Sequence, residues 1–301
     1  MKEGNEETLS EWINVKDHFL KHYDSIYERI GLTFDDRLFD SSYSEEIEET
    51  YNRLLQKNLL VIEEDGKVKI NVAFNGTENI FINREINSIV YKLNRAVCGA
   101  SHRKKKYNFD TVYYVAPTSE ANFFSTVFSL IKELEHDLYN SLHHVKLKNI
   151  TSFDKKLKNV HAEDIIEQAK TYTKDMLKRD LYLQDDEISE EMAEILSLSS
   201  LIINDMTHKR SFDYKFDWKQ ILNLGERSGA GLQFCHAGLK GLQKDSDFYY
   251  KVEIDTSPLL EKEAQHLIKH LSRFDEIVYQ SYQTLEPHII LEYLFSFEVY
   301  C

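Results

Sequence analysis

Residues 213–238 read DYKFDWKQILNLGERSGAGLQFCHAG, and this stretch says more about the fold than any other. Three aromatic residues, Tyr214, Phe216 and Trp218, stand among charged residues at its start. A glycine-rich break follows, and a run with helical spacing then contains Gln233 and His236. A helix that only fills a core has no need of this mixture. The stretch therefore indicates a function beyond core packing.

The composition places the chain among globular proteins with long regular helices. Of its 301 residues 42% are apolar and 29% are charged, and there are only three prolines and ten glycines. A chain of this length can form two domains. No apolar run reaches the roughly 20 residues of a membrane helix, so no membrane partner is expected. The acidic N-terminus differs from a signal or transit peptide.

The net charge and the cysteines limit the classes of partner and cofactor that can be expected. The net charge is −14, which opposes nucleic acid as a partner of the whole surface. The stretch 92–107 nevertheless contains six basic residues and no acid, so a local basic patch is compatible with the total. The three cysteines lie far apart and form no CxxC pair, so no metal ligand and no organic cofactor is predicted.

Hydrophobic spacing predicts an α/β first half and an all-helical second half. The alternation of helices and strands over 32–150 predicts a mostly parallel sheet, with a hairpin at Asp65-Gly66. Ser42 and Glu45 predict a capping box. Helices are predicted at 9–31, 42–58, 84–97, 119–138, 162–181, 188–210, 258–285 and 287–300, and strands at 32–39, 59–72, 110–116 and 143–150.

Several motifs in the same order resemble the arginyl-tRNA synthetase family, in particular its mitochondrial-type branch. The segment DYKFDW, the break and LQFCHA resemble the junction that leads into the family's helical anticodon-binding domain. The same order holds for YERIGLTFDD, NRLLQKNLLVIEEDGKVKINV, KYNFDTVYYV and LSRFDEIVYQSYQTLEPHIILEYLFSF. Each motif alone is weak, but five in the correct order are specific. The family pattern expects an arginine where this chain has Gly238.

The resemblance implies a partial class I synthetase core with a Rossmann-like α/β fold at 1–158, then a DALR-type helical domain at 159–301. The family's HIGH-type motif is expected before residue 1, and the last turns of the helical domain after residue 301. The implied reaction is the ATP-dependent attachment of arginine to its tRNA, with ATP as a substrate. The open alternative is a non-catalytic relative or fragment that binds tRNA or a protein.

The resemblance assigns the arginine pocket to Phe81, Glu85 and Glu120. Each departs from the Tyr, Asp and Gln that the family places there. A guanidinium is a planar donor that a carboxylate binds with two hydrogen bonds, so two carboxylates still suit a cation. The alternative is that both glutamates are solvated helix residues and that Phe81 is part of the core. No single residue is predicted as catalytic.

Two lysine-rich segments are candidates for phosphate contact. Lys155, Lys156 and Lys158 hold the place of the family's KMSKS-type loop, which stabilises the pyrophosphate leaving group; a solvated turn is the alternative. Basic runs beside aromatic residues can follow a nucleic-acid backbone, although a solvated loop has the same composition. The run concerned consists of Arg103, Lys104, Lys105 and Lys106, followed by Tyr107.

The opening stretch supplies the remaining candidates for tRNA contact, namely Tyr214, Lys215, Gln233 and His236. Packing between helices is the alternative for the aromatic residues and for the Gln233–His236 pair. The resemblance implies arginine, ATP and tRNA as partners and a mitochondrial or cytoplasmic monomer.

Overall fold

The computed structural model describes residues 6–39, 43–62, 68–74, 77–82, 87–151, 161–245 and 257–298. By its internal contacts the chain divides into two compact units. The sheet unit is Phe34–Asn149, and the helical unit is Met1–Thr33 with Ile150–Cys301. This division follows contacts, whereas the boundary predicted at residue 158 separates family domains and stays a prediction.

The sheet unit contains two separate sheets. Strands β1 and β2 form the predicted hairpin, and β3 adds a third antiparallel strand. Strands β4 and β5 form a parallel pair. The elements are α2 Ser44–Gln56, β1 Leu60–Ile62, β2 Val68–Phe74, β3 Thr77–Ile82, α3 Asn87–Tyr107, β4 Val112–Pro117, α4 Ala121–Leu134, α5 His136–Tyr139 and β5 Leu142–Leu147.

One apolar core holds this unit together. Leu54 of α2, Ile70 of β2, Val97 of α3 and Leu130 of α4 are each at most 1% exposed and belong to one cluster. Four buried aliphatic side chains of this size each contribute about 1.5–3 kcal/mol relative to exposure. Because α2, α3 and α4 all contribute, the helices are fixed against the antiparallel sheet.

The helical unit consists of helices and one minimal strand pair. Its elements are α1 Glu6–Arg29, β6 Ile150–Thr151, α6 Ala162–Asp180, α7 Glu190–Thr207, β7 Tyr214–Lys215, α8 Trp218–Ile221, α9 Gly229–Asp245, α10 Lys262–Leu271, α11 Phe274–Thr284 and α12 His288–Glu298. Helix α7 packs against α6, α9 and α12. Three of its four buried residues are small, namely Ala193, Ser197 and Ser200, and Ala193 and Ser197 are fully buried. Small residues let neighbouring helices approach closely.

An ion-pair network ties α1 to α6 and α7. The Arg29 guanidinium donates to Glu194 at 2.7 Å and to Glu167 at 2.7 Å. Lys170 lies 3.5 Å from the same Glu194 carboxylate. The hydrogen bond from Arg29, followed by the charges of Arg29 and Lys170, holds the pKa of Glu194 below its usual value. Helix α1 is therefore an integral part of the helical unit.

Most predicted elements are confirmed, and six expectations need correction. The helix predicted over 119–138 is interrupted at Glu135, between α4 and α5. Residues 32–39 form no strand. The first half is α/β as predicted, but its three-stranded sheet is antiparallel, so only β4–β5 fits the predicted parallel arrangement. Strands β3, β6 and β7 were not predicted. The helix predicted over 258–285 is broken after Leu271. Helix α2 begins at Ser44 with Tyr43 at its N-cap and no side-chain cap, and Ser42 lies outside the described residues.

Candidate functional site

The carboxyl ends of β4 and β5 meet at one edge of the sheet unit. The two strands run parallel and end side by side, with Pro117 opposite Leu147. Thr118 ties the edge together, because its hydroxyl donates to the carbonyl of Leu147 at 3.0 Å. Glu120 follows directly and is the N-cap residue of α4. In open α/β sheets this edge is where ligands bind.

Glu120 faces a cation of its own unit at this edge. The ammonium of Lys92, on α3, lies 3.4 Å from a Glu120 carboxylate oxygen and 4.6 Å from the ring centre of Phe123. The Glu120 side chain is 37% exposed, so a ligand can reach it. A carboxylate beside an aromatic ring binds a cation, and Lys92 occupies that arrangement here.

The other two predicted pocket positions come from β3 and from the segment that follows it in sequence. Phe81 lies in β3, where its backbone pairs with Lys69. Glu85 lies outside the described residues, as do Lys155, Lys156 and Lys158 of the predicted KMSKS-type loop. The grouping of Phe81, Glu85 and Glu120 therefore stays a prediction. Sequence reasoning missed Lys92 as a partner of Glu120, because 28 residues separate them.

The basic run 103–106 is the last turn of α3 rather than a loop. Cations at a helix C-terminus are favoured by the helix dipole. Arg103 donates to the Tyr114 hydroxyl at 3.0 Å, and the Lys104 ammonium donates to the Phe109 carbonyl. Lys105 and Lys106 are more exposed and face carboxylates. Three of the four predicted phosphate contacts, Arg103, Lys104 and Lys106, thus donate hydrogen bonds within the unit.

Tyr214 belongs to a polar cluster inside the helical unit. Its hydroxyl donates to Asp205 of α7 at 3.0 Å, and its ring stacks on His208 with centres 4.2 Å apart. Burial, followed by the Asp205 charge, raises the pKa of the Tyr214 hydroxyl. The neighbouring Lys215 is exposed in β7. No sequence signal pointed to Asp205 or His208, because neither stands in a motif with Tyr214.

Gln233 and His236 have different environments on α9. The Gln233 side chain donates to the Ser199 hydroxyl of α7 at 2.8 Å, which is the predicted interhelical hydrogen bond. His236 is exposed. The helix therefore uses Gln233 for packing and presents His236 to solvent.

The aromatic residues of the opening stretch pack as predicted. The rings of Phe216 and Trp218 lie edge to face, 4.8 Å apart, and both contact the cluster of Ala169, Ile221 and Leu222. Trp218 is only partly buried. Its role in this structure is packing at the start of α8.

The described part of the chain has neither a membrane-spanning helix nor a cluster of metal-binding side chains. No helix there combines the length and the apolar character that a membrane span requires. Within the same ranges, no three His, Cys, Asp or Glu side chains are grouped so that they could hold a metal ion.

Comparison with known families matches two successive stretches of the chain. The family described as tRNA synthetases class I (R), catalytic domain, matches residues 1–218. The chain belongs to this family. The DALR anticodon binding domain matches residues 232–298, which covers most of α9 and all of α10–α12. The expected order of an α/β synthetase core followed by a helical anticodon-binding domain is thus confirmed.

The relatives are arginine–tRNA ligases. The chain is 28% identical over 296 residues to the probable mitochondrial enzyme of Mus musculus, covering 97% of the chain and 51% of that protein. It is 28% identical over 298 residues to the probable cytoplasmic enzyme of Dictyostelium discoideum, covering 98% and 50%. The chain therefore spans about half the length of the curated relatives that it matches.

Solved structures show the same fold. The arginyl-tRNA synthetase of Plasmodium falciparum superposes with a TM-score of 0.79 at 18% identity, over 99% of this chain and 52% of that one. The Thermus thermophilus arginyl-tRNA synthetase gives a TM-score of 0.68 at 13% identity, over 86% and 50%. The resemblance seen in the sequence is confirmed, and the protein is arginyl-tRNA synthetase-like. The alternative of a non-catalytic binding module is not favoured. ATP is a substrate of this family.

Proposed function

We propose that this protein acts in the ATP-dependent attachment of arginine to its tRNA. The observation that carries the proposal is the order of the two matched domains, a class I (R) catalytic domain and then a DALR domain. The relatives named as arginine–tRNA ligases align over nearly the whole chain. Because mitochondrial enzymes from several species are among them, we assign the protein to mitochondria and expect a monomer.

We assign arginine recognition to the edge at Glu120, with Phe81 and Glu85 as further pocket positions. A carboxylate attracts a guanidinium and not the neutral ureido group of citrulline, which has nearly the same shape. We assign tRNA contact to Lys105 and Lys106 on the sheet unit, and to Lys215 and His236 on the helical unit. Arg103, Lys104, Tyr214 and Gln233 support these surfaces through the hydrogen bonds described above. ATP contact is assigned to Lys155, Lys156 and Lys158.

Because the relatives are about twice as long, the test on this chain is binding. The first measurement is calorimetric titration with arginine and with citrulline, and we expect affinity for arginine alone. The second is filter binding with an arginine tRNA transcript and with a tRNA for another amino acid. Equal affinity for arginine and citrulline would refute the assignment of Glu120. Absence of tRNA binding at low salt would refute the role of the protein in charging tRNA.

A further inference from the structure

A concave polar pocket lies between α2, the end of α3 and the segment before α2. Its volume is about 530 Å³, and its lining consists of Arg37, Leu38, Glu46, His102, Lys105 and Lys106. We refer to it as the α2–α3 pocket. All of these residues belong to the sheet unit. The volume lies within the range of sites that hold small ligands or a nucleotide.

Carboxylates hold the basic side chains of this pocket in place. The Lys106 ammonium and the Tyr107 hydroxyl both donate to the same oxygen of Asp36, each at 2.5 Å. These two hydrogen bonds lower the pKa of Asp36 to about 2, so it stays ionised. On the opposite wall, His102 donates from Nδ1 to Glu46 at 2.9 Å. The arrangement orders the donors before a ligand arrives, which reduces the cost of binding.

The pocket retains capacity for an anion after these pairs are formed. Lys105 lies 3.9 Å from Glu46, which is too far for a hydrogen bond, and its side chain is 71% exposed. The Lys106 ammonium has three donors, of which Asp36 and its neighbours use only part. Three permanent cations, Arg37, Lys105 and Lys106, line the pocket. They face two carboxylates, that of Glu46 in the lining and that of Asp36 paired with Lys106, so one positive charge remains in excess.

This local excess of cations stands on a protein with a net charge of −14. A concave site with an excess of positive charge favours an anionic ligand over a neutral one. A phosphate group offers acceptor oxygens to a guanidinium and two ammonium groups at once. A carboxylate ligand has fewer acceptors and a smaller charge.

We propose that the α2–α3 pocket binds a backbone phosphate of tRNA through Arg37, Lys105 and Lys106. The proposal rests on the proposed function in so far as tRNA is the partner. It adds Arg37 from a distant segment to the contact surface, and it assigns Asp36 as the group that positions Lys106.

The test compares three variants with the wild-type chain in filter binding to an arginine tRNA transcript at several salt concentrations. The double variant Arg37→Gln/Lys105→Gln removes two cations from the pocket. The control Lys132→Gln removes one exposed cation from α4 of the same unit, where it lies over the ring of Tyr139. The variant Asp36→Asn removes the carboxylate that holds Lys106. Circular dichroism checks that each variant is folded.

Loss of one phosphate contact makes the slope of log affinity against log salt less steep by about 0.7–0.9. The corresponding loss of affinity at 0.1 M salt is about five- to eightfold. We expect this change in the double variant and not in Lys132→Gln. We also expect weaker binding in Asp36→Asn, because Lys106 loses the carboxylate that positions it. An unchanged slope in the double variant, or an equal change in the control, would overturn the assignment of the phosphate site to this pocket. Binding of tRNA by the protein would still be observed in that case.

A second arm separates tRNA from other sources of phosphate. Inorganic phosphate is titrated into the chain while the ring signals of His102 are followed by NMR, with His102→Gln for assignment. Displacement of phosphate by tRNA at this signal supports the proposal. Phosphate binding without any tRNA binding at low salt overturns the assignment to RNA, and in that case the tRNA part of the proposed function fails as well.

Discussion

Replacing Gly229 by alanine tests a close contact between two helices of the helical unit. Gly229 is the first residue of α9 and lies against the backbone of α7. A Cβ placed on it would lie 2.3 Å from the carbonyl oxygen of Ser199 and 2.6 Å from the nitrogen of Ser200. Carbon atoms prefer separations of about 3.5–4.0 Å, so the two helices must move apart by about 1 Å.

The cost of this movement follows from what surrounds the contact. Both obstructing groups are backbone atoms inside a helix, so no side-chain rotation relieves the clash. Ser200 and Ala230 beside it are at most 2% exposed, so neighbouring contacts open as well. Overpacking of this kind costs about 1–3 kcal/mol. The Gln233–Ser199 hydrogen bond, which spans the same pair of helices, adds about 1 kcal/mol.

We therefore expect Gly229→Ala to destabilise the helical unit by about 2–4 kcal/mol, which lowers Tm by about 5–12 °C. The same helix supplies matched controls, because a Cβ at Gly238 or Gly241 meets nothing within 4 Å. Alanine at either control position should stabilise by about 0.5–1 kcal/mol through helix propensity.

The measurement is thermal and urea unfolding followed by circular dichroism, on wild type and the three variants. A Gly229→Ala variant that melts with wild type would refute the close approach of α7 and α9. A Gly238→Ala variant whose Tm falls by the same amount would show that alanine destabilises α9 for a reason other than the contact with α7.

Three further outcomes follow from contacts described above. Glu194→Gln should cost about 1 kcal/mol at neutral pH. Because Arg29 lowers the pKa of Glu194, this stability is present above the unfolded value near 4.5 and is lost as the pH falls below it, so variant and wild type should converge in urea melts at acidic pH. Trp218→Ala should cost about 2–3 kcal/mol in the same assay, less than for a fully buried ring; a loss of tRNA affinity without a loss of stability would contradict its packing role. Lys92→Met removes the cation beside Glu120 and should raise arginine affinity up to about fivefold in calorimetry, since an exposed ion pair contributes at most about 1 kcal/mol; unchanged affinity would place the arginine site elsewhere.

Helical periodicity predicted most of the fold, because long amphipathic faces repeat over many residues. The helices at 162–181 and 188–210 correspond closely to α6 and α7. The strands that the sequence did not reveal are short or lack alternation. Strand β7 has two residues, and it exists only because it pairs with β6, about 60 residues earlier. Such a pair has no local signal, since its stability depends on tertiary contact.

The break between α10 and α11 has a similar origin. Residues 258–285 keep a helical pattern throughout. The break falls at Ser272 and Arg273, so no glycine marks it in the sequence. The chain nevertheless turns there, and the ring of Tyr293 on α12 packs against His270 and Phe274 on the two sides of the turn. Tertiary packing therefore overrides a local pattern that favours one continuous helix.

The candidate site contains contacts that the sequence alone could not predict. Composition identified a basic run at 103–106, and counting its charges suggests four phosphate contacts. The structure engages Arg103 with Tyr114, Lys104 with a backbone carbonyl and Lys106 with Asp36, so three of the four make hydrogen bonds within the fold. It adds Arg37, which no sequence pattern linked to the run. The three cations of the α2–α3 pocket share one phosphate in this proposal, so the pocket contributes a slope of only about −0.7 to −0.9 to the salt dependence of tRNA binding. A steeper slope in the wild-type chain would require further basic residues outside this pocket, which charge-removal variants of Lys215 would then locate on the helical unit.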